Sequence, residues 1–223
     1  MHRGLKISSI LVSISLIAVG ATLMYVNPAA AGPLVKGFMT PIIALEFMPS
    51  PAALRIFFDV AAPETLKAAF MQGNQLDFVF MGLYSLLVAL CGAMMYIHTK
   101  IKALWLSFLL ALMMLGGDAL ENIQIAALIS AEDFSVTQPV LQLLHFFTWL
   151  KWGSIGATFL LFSAYFFQQG RWQIAQGLVS LTTFGLTVAA YLLGGIFHEL
   201  MALSVFAGFL CLMIFSFLWK PIS

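Results

Sequence analysis

Long apolar runs recur along the chain, separated by short polar turns. Ile7 to Val26, Leu76 to Ile97, Ala103 to Ile129, Leu141 to Phe167, Ile174 to Gly194 and Phe197 to Trp219 each reach the roughly 20 residues that carry a helix across a bilayer. They predict six transmembrane helices. The longest stretch without such a run is 27–75. Within it Thr40-Pro41, Ser50-Pro51 and Ala62-Pro63-Glu64 each place a proline where a first helical turn starts, the first two after a residue type that caps helices. Ile42, Ile43, Leu45, Phe47, Leu54, Ile56, Phe57, Phe58, Leu66 and Phe70 lie between or after them. This predicts short amphipathic helices on the membrane surface or over the mouth of the bundle. The whole chain, 1–223, then reads as a single all-α membrane domain that includes a helical extracytoplasmic cap.

The first run raises the question of a signal peptide, because Ala29-Ala30-Ala31-Gly32 has the small residues of a cleavage site. Signal peptides have shorter apolar cores, about 7–15 residues, so an uncleaved first helix is expected. With six spans, Arg3, Lys6, Lys100, Lys102, Arg171 and Lys220 fall on one side. By the positive-inside rule that side is cytoplasmic. Both termini are then cytoplasmic and the 27–75 segment lies outside the plasma (inner) membrane. Lys36, Arg55 and Lys67 share that outer side with Glu46, Asp59 and Glu64.

Composition strengthens the membrane reading. Hydrophobic residues are 62% of the chain and charged residues 9%, against about a quarter charged in soluble domains. Mean hydropathy is +1.01. The net charge of +1 and the lack of a basic run interleaved with aromatics exclude a nucleic-acid partner. The bilayer is the one partner the sequence implies; no protein partner is indicated. Cys91 and Cys211 both fall in apolar runs and read as small buried hydrophobes, not as a disulfide.

Against this background Gly116-Gly117-Asp118-Ala119-Leu120-Glu121-Asn122 stands out. Ionisable groups at membrane depth are costly and face a bundle interior or a wet cavity. Asp118, Glu121 and Asn122 are spaced i, i+3, i+4, which puts them on one helix face. The two glycines before them allow close helix approach. Placing the spans by the 1.5 Å rise of a helix brings Asp77, Asp118, Glu121, His145, Lys151, His198 and Glu199 into the outer half, with Glu46 in the outer segment. Tyr84 lies two turns from Asp77 on the same face.

Each has a purely structural alternative. Lys151 can neutralise Asp118 or Glu121 and lock two helices. Asp77 can be a helix-start residue at the interface. Tyr84 can be a bundle contact, His145 a satisfied interfacial histidine, and His198 and Glu199 loop residues. The polar series Gln173, Gln176, Ser180, Thr183, Thr187 and Tyr191 predicts a fifth span facing protein or water. Charge counting favours more than structure: Asp77, Asp118 and Glu121 outnumber Lys151, the one clear cation in the spans. A proton, metal or cationic ligand must offset the excess. A proton is simplest, and it makes Asp118 or Glu121 an acid/base or proton-coupling group. A metal held by Asp118, Glu121 and His145 matches no known ligand spacing, and His145 and His198 do not form an obvious haem pair. No metal site and no cofactor is assigned.

Ala44-Leu45-Glu46-Phe47, Leu76-Asp77-Phe78-Val79-Phe80 with Tyr84, Gly117-Asp118-Ala119-Leu120-Glu121-Asn122 and Lys151-Trp152 resemble the pattern of small bacterial multi-pass inner-membrane proteins without an assigned activity. The resemblance covers most of Glu46 to Trp152 and implies a fold and a membrane, not a reaction. The Asp and Glu-Asn elements are also similar to those of membrane-embedded sterol isomerases, but the spacings differ and no residue roles carry over. The reading that emerges is an outward-facing pocket for a small or lipid-like ligand with proton-linked chemistry. Asp118, Glu121 and Lys151 are its catalytic candidates, and Glu46, Asp77, Tyr84 and Asn122 its ligand-binding candidates. The alternatives are a proton-coupled transporter or channel, whose path would use the polar face of the fifth span, and a structural or assembly protein without chemistry.

Overall fold

The computed structural model describes residues 2–220. The described residues form helices and connecting turns, without strands. The helices are α1 (His2–Val26), α2 (Pro41–Glu46), α3 (Pro51–Phe57), α4 (Pro63–Thr99), α5 (Leu106–Ile129), α6 (Gln138–Phe166), α7 (Arg171–Leu193) and α8 (Ile196–Leu218). Short 3-10 turns, Lys102–Trp105 and Phe134–Val136, precede α5 and α6.

Proline opens α2, α3 and α4, as its fixed φ and missing N–H favour. Ser50 caps α3 by accepting from Ala53 N at 3.2 Å. Thr40 does not cap α2; its hydroxyl donates instead to Glu199 Oε2 at 2.7 Å. The proline at 63 does not begin a short surface helix. It begins the 37-residue α4, which runs unbroken through 75 into the second apolar run. The segment outside the long helices therefore ends at 62. Asp77 lies well inside α4 and is not a helix-start residue. His198 and Glu199 are likewise not loop residues but the first turn of α8, both buried.

Five helices are long and apolar enough to cross a membrane: His2–Val26, Pro63–Thr99, Lys102–Ile129, Arg171–Leu193 and Ile196–Leu218. The 29-residue α6 is not among them, because Gln138, Gln142, His145, Thr148 and Lys151 dilute its apolar content. The long helices pack in chain order, α4 on α5, α5 on α6, α6 on α7 and α7 on α8, while α1 contacts both α4 and α8. Outward faces are apolar: Ile7, Leu11, Ile14 and Ile17 on α1, Leu109 and Leu112 on α5, and Leu203 and Phe206 on α8 are all exposed. Small polar side chains such as Ser9, Ser13, Thr158 and Thr183 are buried instead. So much exposed apolar surface is intolerable in water and normal in lipid. The chain is an integral, multi-pass membrane protein.

Residues 27–62 fold over one end of this bundle. Gly32 N donates to Phe57 O at 2.9 Å, and Phe58 stacks on Phe134 at 5.7 Å. Gly37 has φ +95°, and an added Cβ there would meet Gly195 Cα at 2.8 Å. Gly194 and Gly195, with φ of 66° and 56°, form the tight turn between α7 and α8, a left-handed conformation that glycine adopts without penalty. The loop and this turn thus touch backbone to backbone.

Candidate functional site

At that same end the ionisable side chains converge. Asp118 and Glu121 project from α5 toward α6, where Lys151 meets them. The helices can approach because residue 117 is glycine: a Cβ there would lie 2.8 Å from Lys151 N and 3.2 Å from Phe147 O. Gly116, its neighbour, faces open space, so only one of the two glycines makes the contact expected of both. Lys151 Nζ lies 2.7 Å from Glu121 Oε2, 3.1 Å from Glu46 Oε1 and 3.5 Å from Asp118 Oδ1. It also sits 4.9 Å from the centre of the Trp152 ring, within cation–π range.

Hydrogen bonds extend the cluster to α2 and α4. Tyr84 donates its hydroxyl to Asp118 Oδ2 at 2.5 Å, which makes it more than a packing residue. Asn122 Nδ2 donates to Asp77 Oδ2 at 2.8 Å. Trp152 Nε1 donates to Glu46 Oε2 at 2.9 Å. Asn74 Nδ2 donates to Asn122 O at 3.0 Å, tying α4 to α5 one turn from Asp77. Glu46, Tyr84, Asp118, Glu121 and Lys151 therefore belong to one connected set, and Asp77 and Asn122 form a separate hydrogen-bonded pair. Asn74 and Trp152 were given no role from the sequence. Asn74 was legible as a buried amide three residues before Asp77 on one helix face; Trp152 carried no such signal.

The carboxylates around Lys151 are closed to solvent. Glu121 is 0%, Asp118 2% and Lys151 5% exposed, while Asp77 is only partly buried. Burial pushes the Glu46 carboxyl above its ordinary range, against the pull of the Lys151 ammonium and the Trp152 hydrogen bond. Glu121 Oε1 is buried with no hydrogen-bond partner, a costly state for an ionised carboxylate. Among the described residues, no group of three His, Cys, Asp or Glu side chains is arranged to hold a metal ion. Two open grooves are lined by residues outside the cluster, one of about 410 Å³ beside Pro28, Val60 and Leu66, the other of about 310 Å³ between Trp149, Phe184 and Tyr191.

The remaining candidates hold residues 27–62 in place. His145 Nε2 donates to Met48 O at 2.9 Å, so that nitrogen faces a carbonyl. Glu199 accepts from Met39 N and Thr40 N, both at 2.9 Å, and from the Thr40 hydroxyl. His198 is packed between Phe47 and Phe38, with ring centres at 3.9 and 5.3 Å. The polar face of α7 turns inward against other helices: Gln176 donates to Cys211 O at 2.9 Å and Thr183 to Ser204 O at 3.0 Å. These are helix–helix hydrogen bonds of the kind that join membrane helices. Tyr191, at the end of the series, is exposed. Both cysteines are free thiols.

No known protein family, curated protein or solved structure matches the chain.

Proposed function

We propose that this chain is a six-span plasma-membrane (inner-membrane) protein that binds a small or lipid-like ligand at a proton-holding carboxylate–lysine centre near its outer face. Both termini are cytoplasmic, and 27–62 forms an extracytoplasmic cap over the centre. Asp118 or Glu121 exchanges protons, Lys151 is its counter-ion, and Asn122 and Tyr84 orient what binds. The observation that carries this reading is the charge imbalance within one buried set. Among the described residues, Glu46, Asp118 and Glu121 share Lys151 as their one cationic partner, and Asp77 is paired with an amide, Asn122. A scaffold needs only one carboxylate per lysine, and additional buried carboxylates without cations are destabilising. Protons relieve that cost, and a carboxyl that holds a proton near neutral pH is fit for acid/base work.

Infrared spectroscopy of the detergent-solubilised protein tests this. Protonated carboxyl bands should persist at neutral pH, where exposed carboxyls are ionised, and Glu121→Gln should remove part of that signal. A spectrum with carboxylate bands alone would refute a proton-holding centre.

The topology has its own test. Reporter fusions after Lys100 and after Arg171 should read as cytoplasmic, and a fusion near Asp59 as external. A cytoplasmic signal near Asp59 overturns the six-span arrangement. The transporter reading draws less support, since the α7 face proposed as its path is engaged in helix–helix hydrogen bonds.

A further inference from the structure

We propose that the end of the bundle away from residues 27–62 is a docking surface for the anionic headgroup of a phospholipid, whose phosphate seats where α1 and α8 meet. The inference is independent of the carboxylate centre, which lies toward the opposite end. Three observations carry it.

The first is the segregation of charge. Successive long helices run antiparallel, so the starts of α1, α5 and α7 share one end with the finishes of α4, α6 and α8. The chain has 10 Lys and Arg and 9 Asp and Glu. Arg3, Lys6, Lys100, Lys102, Arg171 and Lys220 stand at this end. The acids all lie between the middle of the bundle and the far end, with Asp118 near the middle of α5 the nearest. Among the described residues none of these six cations is in a salt bridge, and Arg3, Lys100, Lys102, Arg171 and Lys220 are exposed. Cations gathered without counter-ions repel one another, and an anion docked among them relieves the repulsion.

The second is depth. Trp105 is 54% and Trp172 57% exposed, while Trp149, Trp152 and Trp219 are half-buried or buried. Both exposed indoles are at this end and beside cations. Trp105 packs on Tyr96 with ring centres 5.2 Å apart, and Lys100 Nζ lies 5.7 Å from the centre of the Tyr96 ring. Trp172 follows Arg171 in the first turn of α7. Tryptophan and tyrosine rings collect at the headgroup level of a bilayer, so they set these cations at the depth of lipid phosphates. A soluble acidic polypeptide would meet the cations and leave both indoles unused.

The third is an unmet donor. Trp219, which closes α8, is 5% exposed, and its Nε1 has no hydrogen-bond partner among the described residues. An indole N–H can only donate, and a buried donor without an acceptor is costly. His2 Nδ1, at the start of α1, is likewise buried and unpartnered among the described residues. Because α1 packs against α8, the two nitrogens sit on neighbouring helices at one end, together with Arg3, Lys6 and Lys220. Those three side chains are donors as well, so what this place lacks is an acceptor. A phosphate oxygen supplies an acceptor and a negative charge at once. Choline and ethanolamine headgroups carry a phosphate too, but they add a cation to a surface of cations. A headgroup with net negative charge, as in phosphatidylglycerol, does not.

Native mass spectrometry of the full-length protein in detergent, with equimolar phosphatidylglycerol and phosphatidylcholine, tests this. Phosphatidylglycerol should be retained about tenfold over phosphatidylcholine. Arg3→Gln, Lys6→Gln and Lys220→Gln combined, all outside the core, should remove that preference. Trp219→Phe keeps the ring and loses the N–H; it should lower phosphatidylglycerol retention several-fold and leave phosphatidylcholine unchanged. Lys36→Gln with Arg55→Gln, at the opposite end, should have no effect, and neither should Glu121→Gln, so the fate of the carboxylate centre does not decide the outcome. If Trp219→Phe does not fold, the cation variants still decide. Equal retention of the two lipids overturns the proposal, as does a preference that survives the triple variant or that is lost equally in the Lys36/Arg55 variant. Displacement of the lipid by millimolar inorganic phosphate would make this a soluble-anion site. Displacement by poly-L-glutamate at equal charge would make it a surface for an acidic polypeptide. Either result refutes the lipid assignment.

Discussion

Replacing Lys151 with methionine should destabilise the protein by about 3–5 kcal/mol, the loss expected when one partner of a buried ion pair is removed. Methionine keeps the length and helix propensity of the side chain, so the loss reports on charge. Glu121 is the carboxylate that suffers most. Glu46 retains the Trp152 indole and Asp118 retains the Tyr84 hydroxyl, whereas Glu121 has only the lysine at 2.7 Å. The double variant Lys151→Met with Glu121→Gln should therefore recover most of the lost stability, because it removes the orphaned charge along with its partner. Thermal unfolding in detergent measures both. A Lys151→Met protein as stable as the parent would mean that the ammonium is not seated among these carboxylates.

Asp118→Asn and Glu121→Gln should separate chemistry from scaffold. Each amide keeps the shape of the acid. At 118 the remaining carbonyl oxygen still accepts from Tyr84; at 121 the residue is completely buried and the substitution removes a charge without opening a cavity. Stability should change little, since each substitution removes one of the three carboxylates around Lys151 and leaves two. Function should not survive, because neither amide can exchange a proton. At least one variant is expected to fold normally and to lose ligand binding or the cellular phenotype. Unfolding midpoints beside a complementation or ligand-binding assay give the answer. Full activity in both variants would leave the carboxylates as scaffold.

What the sequence determined was local. Apolar runs reported the long helices because burial in lipid requires about 20 consecutive apolar residues, and prolines reported helix starts because they fix φ. The i, i+3, i+4 spacing put Asp118, Glu121 and Asn122 on one face through helix geometry alone. Where the cue depended on a distant partner, the sequence was silent. Thr40 and Ser50 look alike before a proline, yet Ser50 caps its helix and Thr40 is taken by Glu199, 159 residues away. Hydropathy placed the start of the second helix too late, because Lys67, Gln72, Asn74 and Gln75 lower the apolar signal without breaking the backbone. The polar stripe of α7 was visible, but only packing decided that it faces α8 and not water. Tertiary structure likewise decided that Glu46, from a short helix, joins Lys151 and Trp152, more than 100 residues on. No periodicity encodes that contact, since it follows from how α2 seats against α6, and it makes a row of separate polar positions into one buried set.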